Sequence, residues 1–358
     1  MASIYIHIPF CERKCKYCSF VSFVKCDLLN KYIEVLVKEI CSLEKIDVDT
    51  IYIGGGTPSL LSGEQLSKIL SAVRQCHNVN DSVEISIECN PNSITEEKLI
   101  EYKGCGVNRV SVGIQSLNDE VLNAIGRLHT GEIALNALAT AYKIFDNVSA
   151  DLIVGLPYQK VEQVVGDIRK IAPFVTHFSV YSLMLESGTK LFDAVEKREL
   201  LLPDEDTVVD MYDSAVALLK DLGFDRYEVS NFGLKCKHNL AYWTQKDYYG
   251  FGVASHSYVR GVRYSNTENL EKYLTGERVK DRYSVSKTEA KEEYVMLRLR
   301  LSEGFLLSDY ESRFGEKLSI EKINQLISLG FVALDGDRLR ATDLGFHLLN
   351  HIILTLVD

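Results

Sequence analysis

Six short apolar runs, separated by segments of helical spacing, fill the first half of this 358-residue chain and leave few folds open to it. The runs are Ile4–Ile8, Thr50–Ile53, Val83–Glu88, Arg109–Ile114, Ala150–Val154 and Phe178–Ser182. Between the first two, Leu28, Leu29, Tyr32, Ile33, Leu36, Val37 and Ile40 recur at the three- and four-residue steps of one helix face. Leu66, Ile69, Leu70 and Val73 repeat that stripe, and residues 131–145 and 161–171 supply more. Strand–helix alternation calls for parallel strands joined by right-handed crossovers. At roughly 30 residues per unit, about six β/α units fit by residue 185. The expected fold class is α/β, with a partial (β/α)6 barrel of TIM type in preference to a flat sheet.

From residue 203 the pattern changes. Val208–Leu222 has helical spacing, and a mixed, aromatic-rich segment follows. From 287 onward the chain reads as three helices and then the pair of apolar runs in Phe331–Arg340, split by Asp335-Gly336, a hairpin signal. Three helices and a hairpin predict a smaller, mostly helical, winged-helix-like domain at the C-terminus. The expected boundaries are 1–200 for the barrel, 201–285 for a connecting segment and 286–358 for the C-terminal domain. A net charge of −10 argues against a general nucleic-acid binder, so a structural or partner-docking role is expected for the winged unit.

Three of the nine cysteines, Cys11, Cys15 and Cys18, fall within eight residues as C-x3-C-x2-C. Closely spaced thiolates suit a soft metal or an iron–sulfur cluster. Three is one short of the usual four, so a [4Fe–4S] cube held there keeps one iron open to a small molecule; zinc is the bland alternative. The cysteine count is odd and no basic region followed by an apolar core opens the chain, which predicts a cytoplasmic, reducing setting. In that setting the cysteines outside the cluster are expected as small buried residues. Ile352–Val357 is far shorter than the roughly 20 residues that span a bilayer. Gly54-Gly55-Gly56-Thr57, Glu88 and Gln115 each follow or end a strand. In a β/α barrel all of them face one mouth, where active sites lie.

The chain resembles the radical S-adenosylmethionine (SAM) proteins of the oxygen-independent coproporphyrinogen III oxidase group over nearly its whole length. The lead-in Tyr5-Ile6-His7-Ile8-Pro9-Phe10-Cys11 and the following Cys15, Tyr17 and Cys18 match that group's cluster motif. The resemblance implies that the three cysteines hold a [4Fe–4S] cluster whose open iron chelates the amino and carboxylate groups of SAM. An electron from the cluster, supplied by an external donor, then cleaves SAM to methionine and a 5′-deoxyadenosyl radical. It further implies SAM contacts at Gly55, Gly56 and Thr57, at Glu88, at Gln115 on the ribose, and at Arg127 and Asp151. Taken alone, the glycines would mark only a turn, Glu88 a solvated strand end and Arg127 a surface cation.

Two departures choose a branch. The oxidases carry a further cysteine two places after the last ligand, where this chain has Phe20, and a segment ahead of the barrel, whereas here the first strand starts almost at Met1. Both point to the HemW-like heme chaperone branch. The segment His238-Asn239-Leu240-Ala241-Tyr242-Trp243 matches that branch's H-N-x-x-Y-W signature. It implies heme bound at His238, since neutral imidazole is a normal ligand of heme iron, with Asn239 orienting the ring and Cys236 as a second-choice thiolate. Gly250-Phe251-Gly252-Val253-Ala254-Ser255-His256-Ser257 departs from the group's G-x-G-P-G-A-H-S, so that loop is expected to be shaped differently. The expectation is a cytoplasmic heme chaperone that delivers heme to an apo-hemoprotein of the respiratory chain. No residue is assigned a catalytic role, and the resemblance leaves room for a homodimer and for peripheral contact with membrane proteins. The alternative is an oxidase that decarboxylates coproporphyrinogen III in porphyrin biosynthesis.

Overall fold

The structure, a computed structural model, describes residues 1–357. The first half runs β1 (Ala2–Ile8), α1 (Leu29–Ile40), β2 (Asp47–Gly55), α2 (Gly63–Cys76), β3 (Asn78–Cys89), α3 (Glu96–Gly104), β4 (Arg109–Gln115), α4 (Asp119–Ala124), α5 (Gly131–Ile144), β5 (Val148–Val154), α6 (Val161–Ile171) and β6 (His177–Ser182). The second half continues with α7 (Lys190–Glu196), α8 (Glu205–Asp221), β7 (Arg226–Glu228), β8 (Asn231–Gly233), α9 (Lys237–Trp243), β9 (Tyr248–Phe251), β10 (His256–Val259), β11 (Val262–Asn266), α10 (Leu270–Thr275) and β12 (Val279–Ser284). The C-terminal unit contains α11 (Lys287–Arg298), β13 (Phe305–Leu306), α12 (Leu307–Phe314), α13 (Ile320–Ser328), β14 (Val332–Asp335), β15 (Arg338–Ala341), α14 (Asp343–His347) and α15 (Leu349–Val357).

β1 to β6 pair in sequence order, all parallel, as the expected partial barrel requires. Side chains of a strand alternate between faces. Ile4, Ile6, Ile8, Ile51, Ile53, Ile85, Ile87, Val110, Val112, Ile114, Leu152, Val154 and Val180 are buried in one core together with the stripes of α1, α2, α5 and α6. The residues between them, among them Tyr5, Tyr52, Glu88, Arg109, Ser111, Asp151 and Ser179, line the interior. At the sheet's edges β9 joins β1 in parallel and β8 joins β6 antiparallel, and the full order is β12-β11-β10-β9-β1-β2-β3-β4-β5-β6-β8-β7. The boundary expected at residue 200 therefore falls inside a continuous sheet: the segment 201–285 extends the barrel at both ends.

The C-terminal unit has its own three-stranded sheet, β13-β15-β14, and its own core around Tyr294, Leu299, Phe314, Ile323, Leu339 and Ile352. It is tied to the barrel sheet by backbone bonds from Val229 to Arg300 and from Ser302 to Tyr227. Arg226 adds a side-chain anchor. Its guanidinium lies 3.8 Å above the Phe346 ring and bonds Asp343 at 2.6 Å.

One expectation needs correction. Cys41, at the end of α1, and Cys76, at the end of α2, form a disulfide, and Cys26 is exposed, so the outlying cysteines are not uniformly small buried residues. The loop after β9, where the chain departs from the group's pattern, is fixed by its own backbone geometry and bonds. Ala254 occupies the left-handed region at φ 58°, where the group has glycine. Val253, in place of proline, uses its N–H to bond the Tyr32 hydroxyl at 3.0 Å, which proline could not do. Among the described residues no helix is long and apolar enough to cross a membrane.

Glu39 on α1 fastens the β9–β11 extension to the barrel. Its buried carboxylate accepts bonds from the Tyr273 hydroxyl at 2.5 Å, Asn266 Nδ2 at 2.6 Å and the Gly252 N–H at 2.9 Å. A buried donor left without a partner costs about 1–3 kcal/mol. Glu39→Ala is therefore expected to lower the unfolding free energy by about 3 kcal/mol, read from the urea midpoint at constant slope. A loss below about 1 kcal/mol would show that water replaces the carboxylate.

Candidate functional site

The interior polar residues open onto one cavity of about 940 Å³ at the C-terminal ends of the strands. Every expected site residue lines it: Cys11, Cys15, Cys18, Tyr5, Tyr17, Gly55, Gly56, Thr57, Glu88, Gln115, Arg127, Asp151 and His238. The loop after β1 presents the cysteines. It is folded back on itself by bonds from the Cys11 N–H to the Phe23 carbonyl and from the Phe23 N–H to the Pro9 carbonyl. Thr57 Oγ1 reaches Cys11 Sγ at 3.6 Å, and an Arg127 nitrogen reaches Cys15 Sγ at 3.7 Å. A Cβ on Gly56 would meet the Phe10 carbonyl oxygen at 2.6 Å and Cys11 Sγ at 3.0 Å, so only glycine lets that backbone pass. Among the described residues no three His, Cys, Asp or Glu groups converge closely enough for one metal ion. A cluster bridged by its own sulfides spans a wider set of thiolates, and an all-sulfur donor set suits iron–sulfur chemistry.

Around the cysteines the donors and acceptors alternate in sign. Burial pushes the Glu88 carboxyl up to about 7, although the Gly55 N–H at 3.0 Å and the Tyr52 hydroxyl at 3.0 Å both donate to it. Burial also raises Asp151, which accepts from Ser111. Arg127 is buried, donates to Asn90 Oδ1 at 3.0 Å and to the Gly113 carbonyl, and leaves its Nε without a partner. Gln115 ends β4 at φ 67°, a left-handed turn forced on a non-glycine residue. Two buried carboxyls that gain from a nearby cation and a buried guanidinium that gains from an anion suit a ligand carrying both charges. Tyr17 packs on Val121, Ile125 and Leu156 at the wall beside the cysteines. Phe20, which stands where the oxidases have a further cysteine, is 67% exposed at the cavity rim.

At the inner end sits α9. Its first N–H groups are held by Glu84, an inward residue of β3, which accepts from Lys237 N and His238 N at 3.0 Å each. His238 is buried, with its ring stacked on Tyr52. Nδ1 is 2.8 Å from Thr50 Oγ1 and Nε2 is 2.9 Å from the Tyr242 hydroxyl. Burial, reinforced by the nearby Arg109 charge, pulls its pKa down to about 3, so the imidazole is neutral. Both ring nitrogens are engaged within the protein. Thr50 and Tyr242, not Asn239, orient the ring, because Asn239 points to Glu228 at 3.5 Å. Cys236 is a buried thiol whose pKa burial raises and whose Sγ donates to Glu84 at 3.4 Å.

Sequence reasoning missed Arg109, Asn90 and Glu84 as site residues, and named Tyr242 only as a member of the H-N-x-x-Y-W signature. Arg109 is buried and lines the cavity with its Nε unpartnered, while another guanidinium nitrogen lies 3.4 Å from His177. A signal existed: Glu84 and Glu88, and Arg109 and Ser111, are polar residues at two-residue or four-residue steps within otherwise apolar strands.

Glu88 gives a pH test on metal-free protein. Its folded pKa lies above the ordinary carboxylate value, so the folded state binds its proton more tightly than the unfolded state does. Stability contributed by this group therefore falls as pH rises from about 4.5 to about 7. Glu88→Gln is expected to remove that fall; identical pH–stability profiles for the two proteins would show that Glu88 titrates normally.

Comparison with known proteins agrees with this geometry. The Radical SAM superfamily pattern matches residues 5–171 and the HemN C-terminal domain pattern matches 285–348. The heme chaperone HemW of Lactococcus lactis subsp. lactis is 37% identical over 363 residues, covering 98% of this chain and 96% of that protein. The HemW proteins of Bacillus subtilis and Escherichia coli are 35% and 32% identical, covering 89% and 98% of this chain and 88% and 97% of theirs. The solved structure of Escherichia coli coproporphyrinogen III oxidase shares the fold, with a TM-score of 0.86 at 23% identity over 100% of this chain and 90% of that one. The chain belongs to the HemW family of radical SAM heme chaperones.

Proposed function

We propose that the chain is a heme chaperone: it holds a [4Fe–4S] cluster on Cys11, Cys15 and Cys18, SAM across the barrel mouth and heme against α9, and passes the heme to an apo-hemoprotein. The observation that carries this reading is the continuity of one cavity from the three cysteines to the H-N-x-x-Y-W helix. Cluster and SAM together supply one-electron chemistry when bound. The protein's residues bind and orient. Glu88 and Asp151 would take the ammonium end of SAM and its ribose side, Gln115 the ribose, and Arg127 an anionic group, while Gly55, Gly56 and Thr57 let backbone approach the ligand. Tyr5 and Tyr17 wall the site. Delivery to the respiratory chain, an external electron donor, a homodimer, a cytoplasmic setting and peripheral contact with a membrane acceptor belong to the same reading.

Phe20 at the cavity rim separates it from the oxidase reading, since the further oxidase cysteine is missing there. After anaerobic reconstitution, about four irons and four sulfides per chain are expected, falling sharply in Cys15→Ala. Heme titration followed by absorption should then saturate near one equivalent. Coproporphyrinogen III, given SAM and reductant, should remain unconverted. Protoporphyrinogen formation without heme saturation would replace the chaperone with the oxidase.

A further inference from the structure

His238 is held as a ligand whose donor atom is covered. Thr50 Oγ1 gives its only proton to Ser3 Oγ at 2.8 Å, so toward His238 it accepts, and Nδ1 carries the ring proton. Nε2 therefore bears the lone pair, and the hydroxyl 2.9 Å away on Tyr242 donates to it. The two residues stand four apart on α9, so one helical turn brings donor and lone pair together. Both line the cavity.

The two ends of α9 are held unequally. At the N-terminal end Glu84 accepts from Lys237 N and His238 N and from Cys236 Sγ. At the C-terminal end Trp243 Nε1 and both amide atoms of Gln245 are buried with no partner, and Gln245 sits at φ 53°. Unpaired buried polar groups and a left-handed non-glycine residue each destabilise this end relative to an opened one. Backbone bonds from Gln245 N to Tyr242 and from Lys246 N to Ala241 close this end, so Tyr242, which covers Nε2, lies beside unpaired side-chain groups, and His238 lies at the end bonded to Glu84.

We propose that Tyr242 is a latch on His238, and that heme is taken up by exchanging the Tyr242 hydrogen bond at Nε2 for an iron–nitrogen bond. This rests on the heme-binding reading above. No proton and no electron is transferred: the lone pair leaves the O–H donor and is given to iron, and the hydroxyl turns to solvent or to another acceptor. Thr50 is the positioning residue. By accepting from Nδ1–H it keeps the lone pair on the nitrogen that faces the cavity, as the outer partner of a metal-binding histidine commonly does.

The test uses the full chain with its cluster reconstituted anaerobically, titrated with heme and followed by absorption. A hydrogen bond that must be broken on binding is worth about 0.5–1.5 kcal/mol, so Tyr242→Phe is expected to bind heme about 2- to 10-fold more tightly with an unchanged spectrum. Thr50→Val should weaken binding by about 10-fold or more, and Thr50→Ser should restore it. In heme-free protein, ¹⁵N shifts should show the His238 proton on Nδ1 in the wild type and in Thr50→Ser. The latch is overturned if Tyr242→Phe binds heme no more tightly than the wild type, or if the His238 proton is found on Nε2. It is also overturned if His238→Ala leaves affinity and spectrum intact, which would move the ligand elsewhere and spare the chaperone reading. A wild-type chain that takes no heme would instead remove that reading itself.

Discussion

The barrel strands must satisfy two opposite environments. Their outer residues pack against helices and are apolar, while their inner residues carry carboxylates, guanidinium groups and hydroxyls that cannot be buried unless something bonds them. Much of the interior solves this internally. Glu84 takes the N–H groups of α9, Asp151 is fed by Ser111, and His177 is bonded by Ser149 and Tyr227. Among the groups that line the open cavity, the Nε of Arg109 and of Arg127 has no partner, and Glu88 stays raised despite its two donors. These groups mark where a charged ligand would complete the network.

The parallel barrel was legible because two-residue and 3.6-residue periodicities coexist without ambiguity in residues 4–182. The sheet's extensions were not. β7 and β8 are three residues each, and β9 and β10 four, too short for a period to declare itself. What places them is long-range bonding, such as Glu39 reaching Gly252, Asn266 and Tyr273 from far away in sequence. At the site, the cysteine spacing and the strand-end motifs identified the lining residues one by one. Roles that depend on a partner distant in sequence stayed hidden. The Thr50–His238 contact spans 188 residues and Glu84–His238 spans 154, so neither the tautomer of the ring nor its covered lone pair could be read locally.

The departures from the group's patterns each have a local physical account. Ala254 takes a left-handed conformation that glycine adopts more readily, and Val253 supplies an N–H that proline lacks and bonds it to Tyr32. Substitution there is absorbed by local strain and a new hydrogen bond. At Phe20 nothing local is demanded, because the side chain points to solvent at the lip, and there the change bears on chemistry and not on fold.

Phe346 and His347 belong to the C-terminal unit, yet they line the same cavity as Cys11. The vessel is therefore assembled from two pieces that meet at the Arg226 seat. A guest that touches both pieces prefers the docked arrangement, and by thermodynamic reciprocity it strengthens docking by the same factor that docking strengthens its own retention. Prising the C-terminal unit off Arg226 must then loosen the grip on whatever the cavity contains. A second protein that competes for Asp343 or Phe346 would collect the contents by that means alone, without ever entering the barrel.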